Sequence, residues 1–188
     1  MNKLIKIVPL EVADENSIQQ AALLLQKSFS ELGSGSWSSP EAALAEVMES
    51  LEEGRISLVA LDVGKQVVGW IAAISAYGGH VFELHPLAVA QSRRKQGIGR
   101  ALVCALEDEG RRRGAVTLML GTDDEYGQTN LSGVALYPDV WRHISAIQNL
   151  KGHPYEFYSK LGFAIVGVIP DANGPGKPDI IMAKRLKS

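Results

Sequence analysis

The sequence predicts a single α/β domain spanning residues 1–188. That length suits one well-packed domain and is short for two. Along the chain, apolar residues alternate with period two in some segments and recur at helical spacing in others. No internal repeat or linker-like stretch interrupts the series.

Residues 4–8 alternate as a strand that stops at Pro9. Residues 14–29 carry Ile18, Ala21, Ala22 and Leu25 at helical spacing. Residues 33–39 read as a flexible loop holding one large aromatic, Trp37. Ser39 before Pro40 is an N-cap followed by a residue suited to a first helical turn, and this helix is expected to run to Gly54. Two β-rich runs, 56–62 and 66–77, meet at Val63-Gly64-Lys65 as a hairpin. A strand over 81–90, a helix over 97–113 and a strand over 116–120 follow. The stretch 121–152 is too long for a bare loop. A helix over 138–150, with Val140, Ile144 and Ile147 on one face, is expected to fill part of it. A short helix over 154–161 closes at Gly162, and strands over 163–169 and 180–183 end the series.

With 46% apolar and 21% charged residues the composition is that of a soluble globular protein. A net charge of −2 argues against a general nucleic-acid binder, which would carry a basic surplus. The basic residues are local: Arg93 to Lys95, Arg111 to Arg113, and Lys184 to Lys187. The triple arginine before Gly114 reads as a solvated, dipole-matched helix end. Cys104 is the sole cysteine, so no internal disulfide forms, which suits a reducing compartment. It lies in a helical stretch without a neighbouring histidine, which argues against an acyl-cysteine. The first residues lack the apolar run of a secretory signal, and no stretch is long enough to span a bilayer. A cytoplasmic protein is expected.

One segment carries most of the chemistry. The apolar run Leu87-Ala88-Val89 leads to Arg93-Arg94-Lys95-Gln96-Gly97-Ile98-Gly99-Arg100, where a helix begins. Gly97 and Gly99 remove side chains that would hold phosphates off the backbone. The helix start offers unpaired N–H groups and the positive end of its dipole. Pyrophosphate is the matching ligand chemistry. Neither the three-glycine dinucleotide fingerprint nor a P-loop ending in Gly-Lys-Ser/Thr is present. Taken alone, the turn is also compatible with a helix that merely begins with glycines.

Just upstream, an ideal strand would put Glu83, His85, Leu87 and Val89 on one face. Pro86 cannot donate to a ladder, so pairing should fail there, as at an edge or bulge. Glu83 reads either as a proton acceptor or as a strand glutamate facing solvent, and His85 reads equally well as a packing residue. Asp123, Asp124 and Glu125 end another strand; such clusters are commonly solvated, but beside a ligand cleft they attract polycations. In Phe157-Tyr158-Ser159-Lys160-Leu161-Gly162-Phe163 the phenylalanines and Leu161 read as core. Tyr158 is either core or a phenol kept protonated in an apolar cleft.

Arg94-x-x-Gly97-x-Gly99 resembles the acyl-CoA signature of the GCN5-related N-acetyltransferases (GNAT), and the run from Phe157 to Phe163 resembles their second signature. The order of elements is similar to theirs. The resemblance implies a mixed, mostly antiparallel central sheet flanked by helices, with a splayed strand pair at the active site. It implies acetyl-CoA as cosubstrate, contacted by Leu87, Ala88, Val89, Arg94, Lys95, Gln96, Gly97, Ile98, Gly99, Arg100, Tyr158 and Lys160, and no metal. In that scheme the Leu87 N–H polarises the thioester carbonyl. Glu83 orients the amine and takes its proton, directly or through water, and Tyr158 protonates the departing thiolate. Many family members have asparagine where Lys151 stands, so that pantetheine contact is not carried over.

Glu-Leu-His-Pro-Leu at 83–87, Leu-Gly-Thr-Asp-Asp at 120–124, Ile-Gln-Asn-Leu at 147–150 and His-Pro-Tyr-Glu-Phe-Tyr at 153–158 narrow the likeness. With Lys-Pro-Asp-Ile at 177–180 they resemble the aminoglycoside 6′-N-acetyltransferase branch, over about 56–184. This implies direct acetyl transfer to the 6′-amino group of a polycationic aminoglycoside, antibiotic resistance, a homodimer and a bacterial cytoplasmic setting, with no nucleic-acid or membrane partner. Trp37 and Tyr77 are candidate aromatic walls for the acceptor, alongside Glu83, His85, Asp123, Asp124 and Glu125. Two alternatives stay open. One is a GNAT enzyme acting on a protein N-terminus, a lysine or a small polyamine. The other is a non-catalytic acyl-CoA-binding regulator, against which the presence of both Glu83 and Tyr158 speaks.

Overall fold

The computed structural model describes residues 5–30 and 37–186, so Leu4, most of the 33–39 loop and Lys187 lie outside the described residues. The chain forms two compact units, one ending at Val116 and the other beginning at Thr117. Together they hold an α/β set of seven strands, and within each unit neighbouring strands pair antiparallel. Among the described residues, no helix is long and apolar enough to cross a membrane.

In the first unit β1 (Ile5–Pro9), β2 (Ile56–Asp62), β3 (Val67–Ala76) and β4 (Val81–Val89) lie side by side in that order. Helices α1 (Glu15–Ser30) and α2 (Pro40–Glu49) cover one face, packing Leu25, Ala43 and Val47 against Val59, Trp70 and Ala72. Helix α3 (Ile98–Arg112) covers the other. There, a Cβ on Gly69 would meet Leu102 Cδ1 at 2.9 Å and Ile98 Cγ2 at 3.0 Å, so any larger residue would push these α3 side chains aside. Covered on both faces, β3 reads as an unbroken apolar run rather than an alternating one.

Local chemistry sets the boundaries. Asp14 Oδ1 accepts from the Ser17 N–H at 3.0 Å and starts α1, and the Ser17 hydroxyl first, then its N–H, hold the Asp14 carboxyl below its ordinary range against a slight opposing effect of burial. Ser39 Oγ accepts from the Ala42 N–H at 3.1 Å and starts α2. That helix stops at Glu49, five residues short of the expected Gly54. The Ser50 hydroxyl bonds back to the Val47 carbonyl at 2.6 Å and lies 2.9 Å from the Ser57 hydroxyl, diverting the chain into a turn. At the β2–β3 hairpin Asp62 Oδ1 accepts from the N–H groups of Gly64 (2.9 Å) and Gln66 (3.0 Å). The triple arginine is engaged locally: Arg111 bonds Asp108 at 2.7 Å, and both Arg112 and Arg113 bond Glu109 at 2.6 Å. Chiefly through its bonds from Arg112, this holds the Glu109 carboxyl down at about 2.

The second unit orders its strands β5 (Thr117–Asp123), β7 (Asp179–Arg185) and β6 (Ala164–Ile169) around a core of Leu118, Leu120, Ile180 and Met182. The ladder carries β5 to Asp123 and β7 from Asp179 to Arg185, beyond the apolar runs that announce them, because pairing recruits residues of weak strand propensity. Helix α4 covers only Val140–Ser145, not 138–150, and buries no residue. Its continuation is captured elsewhere: the Asn130 side-chain amide donates to the Ala146 carbonyl at 2.9 Å, and Asn130 Oδ1 accepts from the Gln148 N–H at 2.7 Å. Helix α5 (Tyr155–Lys160) follows.

Trp70 is wholly buried and its indole N–H donates to Ser57 Oγ at 3.0 Å. Ser57→Ala would strand that donor, and leaving a buried donor unmade costs about 1–3 kcal/mol. A urea midpoint lowered accordingly, with an unchanged slope, is expected from chemical denaturation.

Candidate active site

In β4, Ile71 of β3 pairs with Leu87 while Ala73 pairs with Leu84. His85 and Pro86 therefore stand opposite Ala72 alone, which is the bulge expected from Pro86. Its main effect is a change of face. Glu83 pairs with Ile74 and Leu87 with Ile71. Paired residues share a face, and Ile71 and Ile74 lie on opposite faces of β3. The expectation that Glu83 and Leu87 share one face is thus corrected: Glu83 projects toward the α1–α2 side and Leu87 toward the α3 side.

Glu83 is half-buried, and among the described residues its carboxylate takes no hydrogen bond or ion pair. Exposed His85 lies tilted against Trp37, ring centroids 5.4 Å apart and planes at 54°. Trp37 in turn meets Phe29 edge-on at 4.6 Å and donates its indole N–H to Glu46 Oε2 at 3.0 Å. The structure thus brings Trp37 and His85 together as a wall on the Glu83 side. Tyr77 stands apart in the β3–β4 turn, 76% exposed, without a ring contact to either among the described residues.

The segment after β4 is built from backbone. Arg94 Nε donates to the Val89 carbonyl at 3.2 Å, closing the turn on the strand. Lys95 (φ 61) and Gly97 (φ 84) both take left-handed backbone, and Gly97 is the N-cap of α3 with no side chain to give. The first bond inside α3 runs from the Ala101 N–H to the Gly97 carbonyl. The N–H groups of Ile98, Gly99 and Arg100 thus make no helical bond. A Cβ at Gly97 would meet nothing within 4 Å, so the ground in front of these amides is open. Lys95, Gln96 and Arg100 are exposed, whereas the Ala88 and Ile98 side chains are buried and can serve only through their backbone. Arg93 does not add its charge here. Its guanidinium lies 3.6 Å from Asp62 Oδ2 and ties the turn to the β2–β3 hairpin.

At the end of β5 the three carboxylates part ways. Asp124 is completely buried: its oxygens accept from the Gln128 N–H (2.6 Å), the Thr129 N–H (2.8 Å) and the Thr129 hydroxyl (2.7 Å). It shapes the loop instead of facing a ligand. Asp123 is exposed and accepts from the Asn173 amide, and Glu125 is half-buried. The neighbouring Tyr126 phenol is pushed up, by burial first and then by the charges of Glu125 and Asp123.

Tyr158 lies on α5 with its ring 8% exposed, edge-on to Phe157 (5.0 Å) and Phe163 (5.7 Å). Burial alone pushes its phenol well above the ordinary tyrosine range, so it is protonated at any working pH. Its hydroxyl takes no hydrogen bond among the described residues. Lys160 is exposed, 3.9 Å from Glu156. Two further residues had no sequence signal of their own. Glu46 sits within an ordinary amphipathic helix, and His153 precedes a proline at a helix start with no partner visible in the spacing. Among the described residues, no group of three or more His, Cys, Asp or Glu side chains could hold a metal ion.

The sequence matches the acetyltransferase (GNAT) family over residues 21–137. No curated protein sequence matches the chain. Solved structures do. An aminoglycoside 6′-N-acetyltransferase complexed with coenzyme A is 43% identical, with 97% of this chain and 98% of that chain covered at a TM-score of 0.88. The aminoglycoside 6′-N-acetyltransferase from Enterococcus faecium is 42% identical at the same coverage and TM-score of 0.88. An aminoglycoside 6′-acetyltransferase type Ii is 36% identical, covering 97% of this chain and 98% of that chain, with a TM-score of 0.75.

His153 carries a pH signature. Burial lowers its pKa below 6.5, with the Asp123 carbonyl and the charges of Asp124 and Asp123 opposing in part. The folded state therefore favours neutral imidazole. The stability this gives is fully present above pH 6.5 and is lost as pH falls from there toward the folded pKa. The melting-temperature gap between the wild type and His153→Asn should accordingly narrow from pH 7.5 to pH 5.5 in thermal melts. A gap that widens toward acid would assign the opposite shift.

Proposed function

The chain belongs to the acetyltransferase (GNAT) family, and on that premise we propose that it transfers the acetyl group of acetyl-CoA to the 6′-amino group of aminoglycosides, by direct attack in a ternary complex, and thereby confers antibiotic resistance. The observation that carries this reading is likeness over 97% of the chain to a 6′-N-acetyltransferase complexed with coenzyme A. The near-equal lengths of the two chains favour one catalytic domain over residues 1–188. A homodimer in the bacterial cytoplasm completes the proposal, and a single cysteine agrees with a reducing compartment.

Acetyl-CoA, when bound, supplies an activated acyl thioester. The residues around it have separate tasks. The amides of Ile98, Gly99 and Arg100 hold the pyrophosphate at the α3 start, and Lys95, Gln96 and Arg100 add side-chain contacts. Arg94 keeps the turn closed. Leu87, Ala88 and Val89 offer backbone groups along the pantetheine arm, and the Leu87 N–H polarises the thioester carbonyl. Glu83, with no internal partner for its carboxylate, orients the acceptor amine and receives its proton, directly or through water. Tyr158 holds the proton that the departing sulfur takes, and Lys160 assists at the cofactor side. Trp37 and His85 flank the acceptor, with Tyr77 at the margin. Asp123 and Glu125 attract its ammonium groups, and Asp124 contributes by shaping the loop that presents them.

Two predictions follow from this division of labour. Gly97→Val puts a branched side chain on left-handed backbone, in front of the free amides. Acetyl-CoA affinity measured by calorimetry should fall on the order of 10-fold or more in a protein that still folds. Unchanged affinity would remove the turn as the pyrophosphate site.

The second concerns the acceptor. Asp123→Asn should raise KM for aminoglycosides and flatten its dependence on salt, with KM for acetyl-CoA unchanged. In a CoA-release assay kanamycin A, with a 6′-amino group, should be acetylated, and paromomycin, with a 6′-hydroxyl, should release little CoA. Equal turnover of the two contradicts the 6′ assignment. Rapid acetylation of a peptide, with neither antibiotic used, would identify a protein-acetylating enzyme instead.

A further inference from the structure

The scheme above leaves one buried, fully engaged side chain without a task. His153 is 2% exposed. Its Nδ1 accepts from the Tyr155 N–H at 3.1 Å, so that nitrogen carries no proton. Nε2 must then bear the hydrogen and donate it to the Asp123 carbonyl, also at 3.1 Å. The imidazole therefore joins the last residue of β5 to the first residue of α5.

The backbone of His153 is gripped equally well. Its N–H donates to Asn149 Oδ1 at 2.7 Å, and its carbonyl accepts from Asn149 Nδ2 at 2.9 Å. Asn149 is bridged to Thr129, and Thr129 is held by the buried Asp124. Through that bridge, whose bonds join Asn130 to Gln148 and Leu150 to Gln128, the loop held by Asp124 braces Asn149 and so His153, which itself reaches Asp123 and Tyr155.

This matters because of what α5 carries. The helix has only six residues, too few to fix its own direction, so the contacts at its ends set its placement. At the far end the Tyr158 carbonyl accepts from the N–H groups of Leu161 (2.9 Å) and Phe163 (3.1 Å). At the near end the imidazole holds the Tyr155 N–H and lies against the Tyr155 ring, centroids 5.6 Å apart. Tyr158 lies three residues beyond Tyr155, close to one turn along the helix.

We propose that His153 is a positioning residue for acetyl transfer: by linking the Tyr155 N–H to the Asp123 carbonyl, it fixes where α5 presents the Tyr158 phenol. The inference rests on the reading of Tyr158 as the proton donor to sulfur. His153 itself touches neither substrate.

Two amide side chains divide its bonds. In His153→Asn, Oδ1 can replace Nδ1 as acceptor for Tyr155, while the link to Asp123 is lost. In His153→Gln, the side-chain nitrogen can replace Nε2 as donor to Asp123, while the link to Tyr155 is lost. Each should lower kcat about 10-fold through misplacement, leaving KM for acetyl-CoA within about twofold. His153→Phe loses both bonds and should be slower still; if it fails to fold, the amide variants carry the test. Tyr158→Phe alone should lower kcat on the order of 10²-fold. In that background His153→Asn should cost little more, because the group it positions is gone. Multiplicative losses in the double variant would overturn this inference alone, as would full-rate amide variants. A full-rate Tyr158→Phe enzyme would overturn the reading of Tyr158 and this inference with it.

Discussion

The ladder between β3 and β4 cannot close at His85–Pro86, where two residues face one. Much of the first unit's chemistry depends on that failure. The slip turns the Glu83 and Leu87 side chains, four residues apart, to opposite faces of one strand. Glu83 reaches the side where Trp37 and His85 meet, and Leu87 continues toward the α3 side. A regular strand would have put both side chains on one face.

Charge is used in two distinct ways along the chain. Some ionised groups are consumed in holding the backbone: Asp62 shares its oxygens between the hairpin amides and Arg93, Asp124 is folded into its own loop, and Glu109 collects Arg112 and Arg113. Others, including Glu83, Lys95 and Arg100, are left with little or no internal engagement. In the β4–α3 turn two left-handed residues and an uncapped helix start leave backbone amides without a helical partner beside exposed cationic side chains, the arrangement on which the proposed anion site rests. A net charge of −2 is therefore no obstacle to binding a polyphosphate, because the local field is set by a few amides and cations.

What the sequence disclosed and what it concealed follow a physical line. The β4 bulge was readable from Pro86, the hairpin from Val63-Gly64-Lys65, the α2 start from Ser39-Pro40, and the start of α3 from Gly97, because each rests on a local backbone requirement. The end of α2 was not readable, since Ser50 leaves the helix for a partner at Ser57 across a turn. Nor was the length of α4, which Asn130 cuts short by taking the Ala146 carbonyl and the Gln148 amide from a distance of many residues. Asp123-Asp124-Glu125 looked like one acidic surface, yet Asp124 is drawn inside by Thr129 and only its neighbours keep solvent. His153 stood in one of the strings that carry the resemblance, but its bonding role was not readable, because its partners are backbone groups that any residue could have supplied. Non-local hydrogen bonding is the common cause of these differences.

The central claim is that the cosubstrate is recognised by backbone groups, those of the β4 end and the three amides that the left-handed turn leaves without a helical bond at the start of α3. Hydrogen exchange followed residue by residue, with and without acetyl-CoA, tests it most directly. The account predicts that the amides of Leu87, Ile98, Gly99 and Arg100 become protected on binding, while those of α1 far from Trp37 keep their rates. Saturating acetyl-CoA with no change in protection between Leu87 and Arg100 would contradict it.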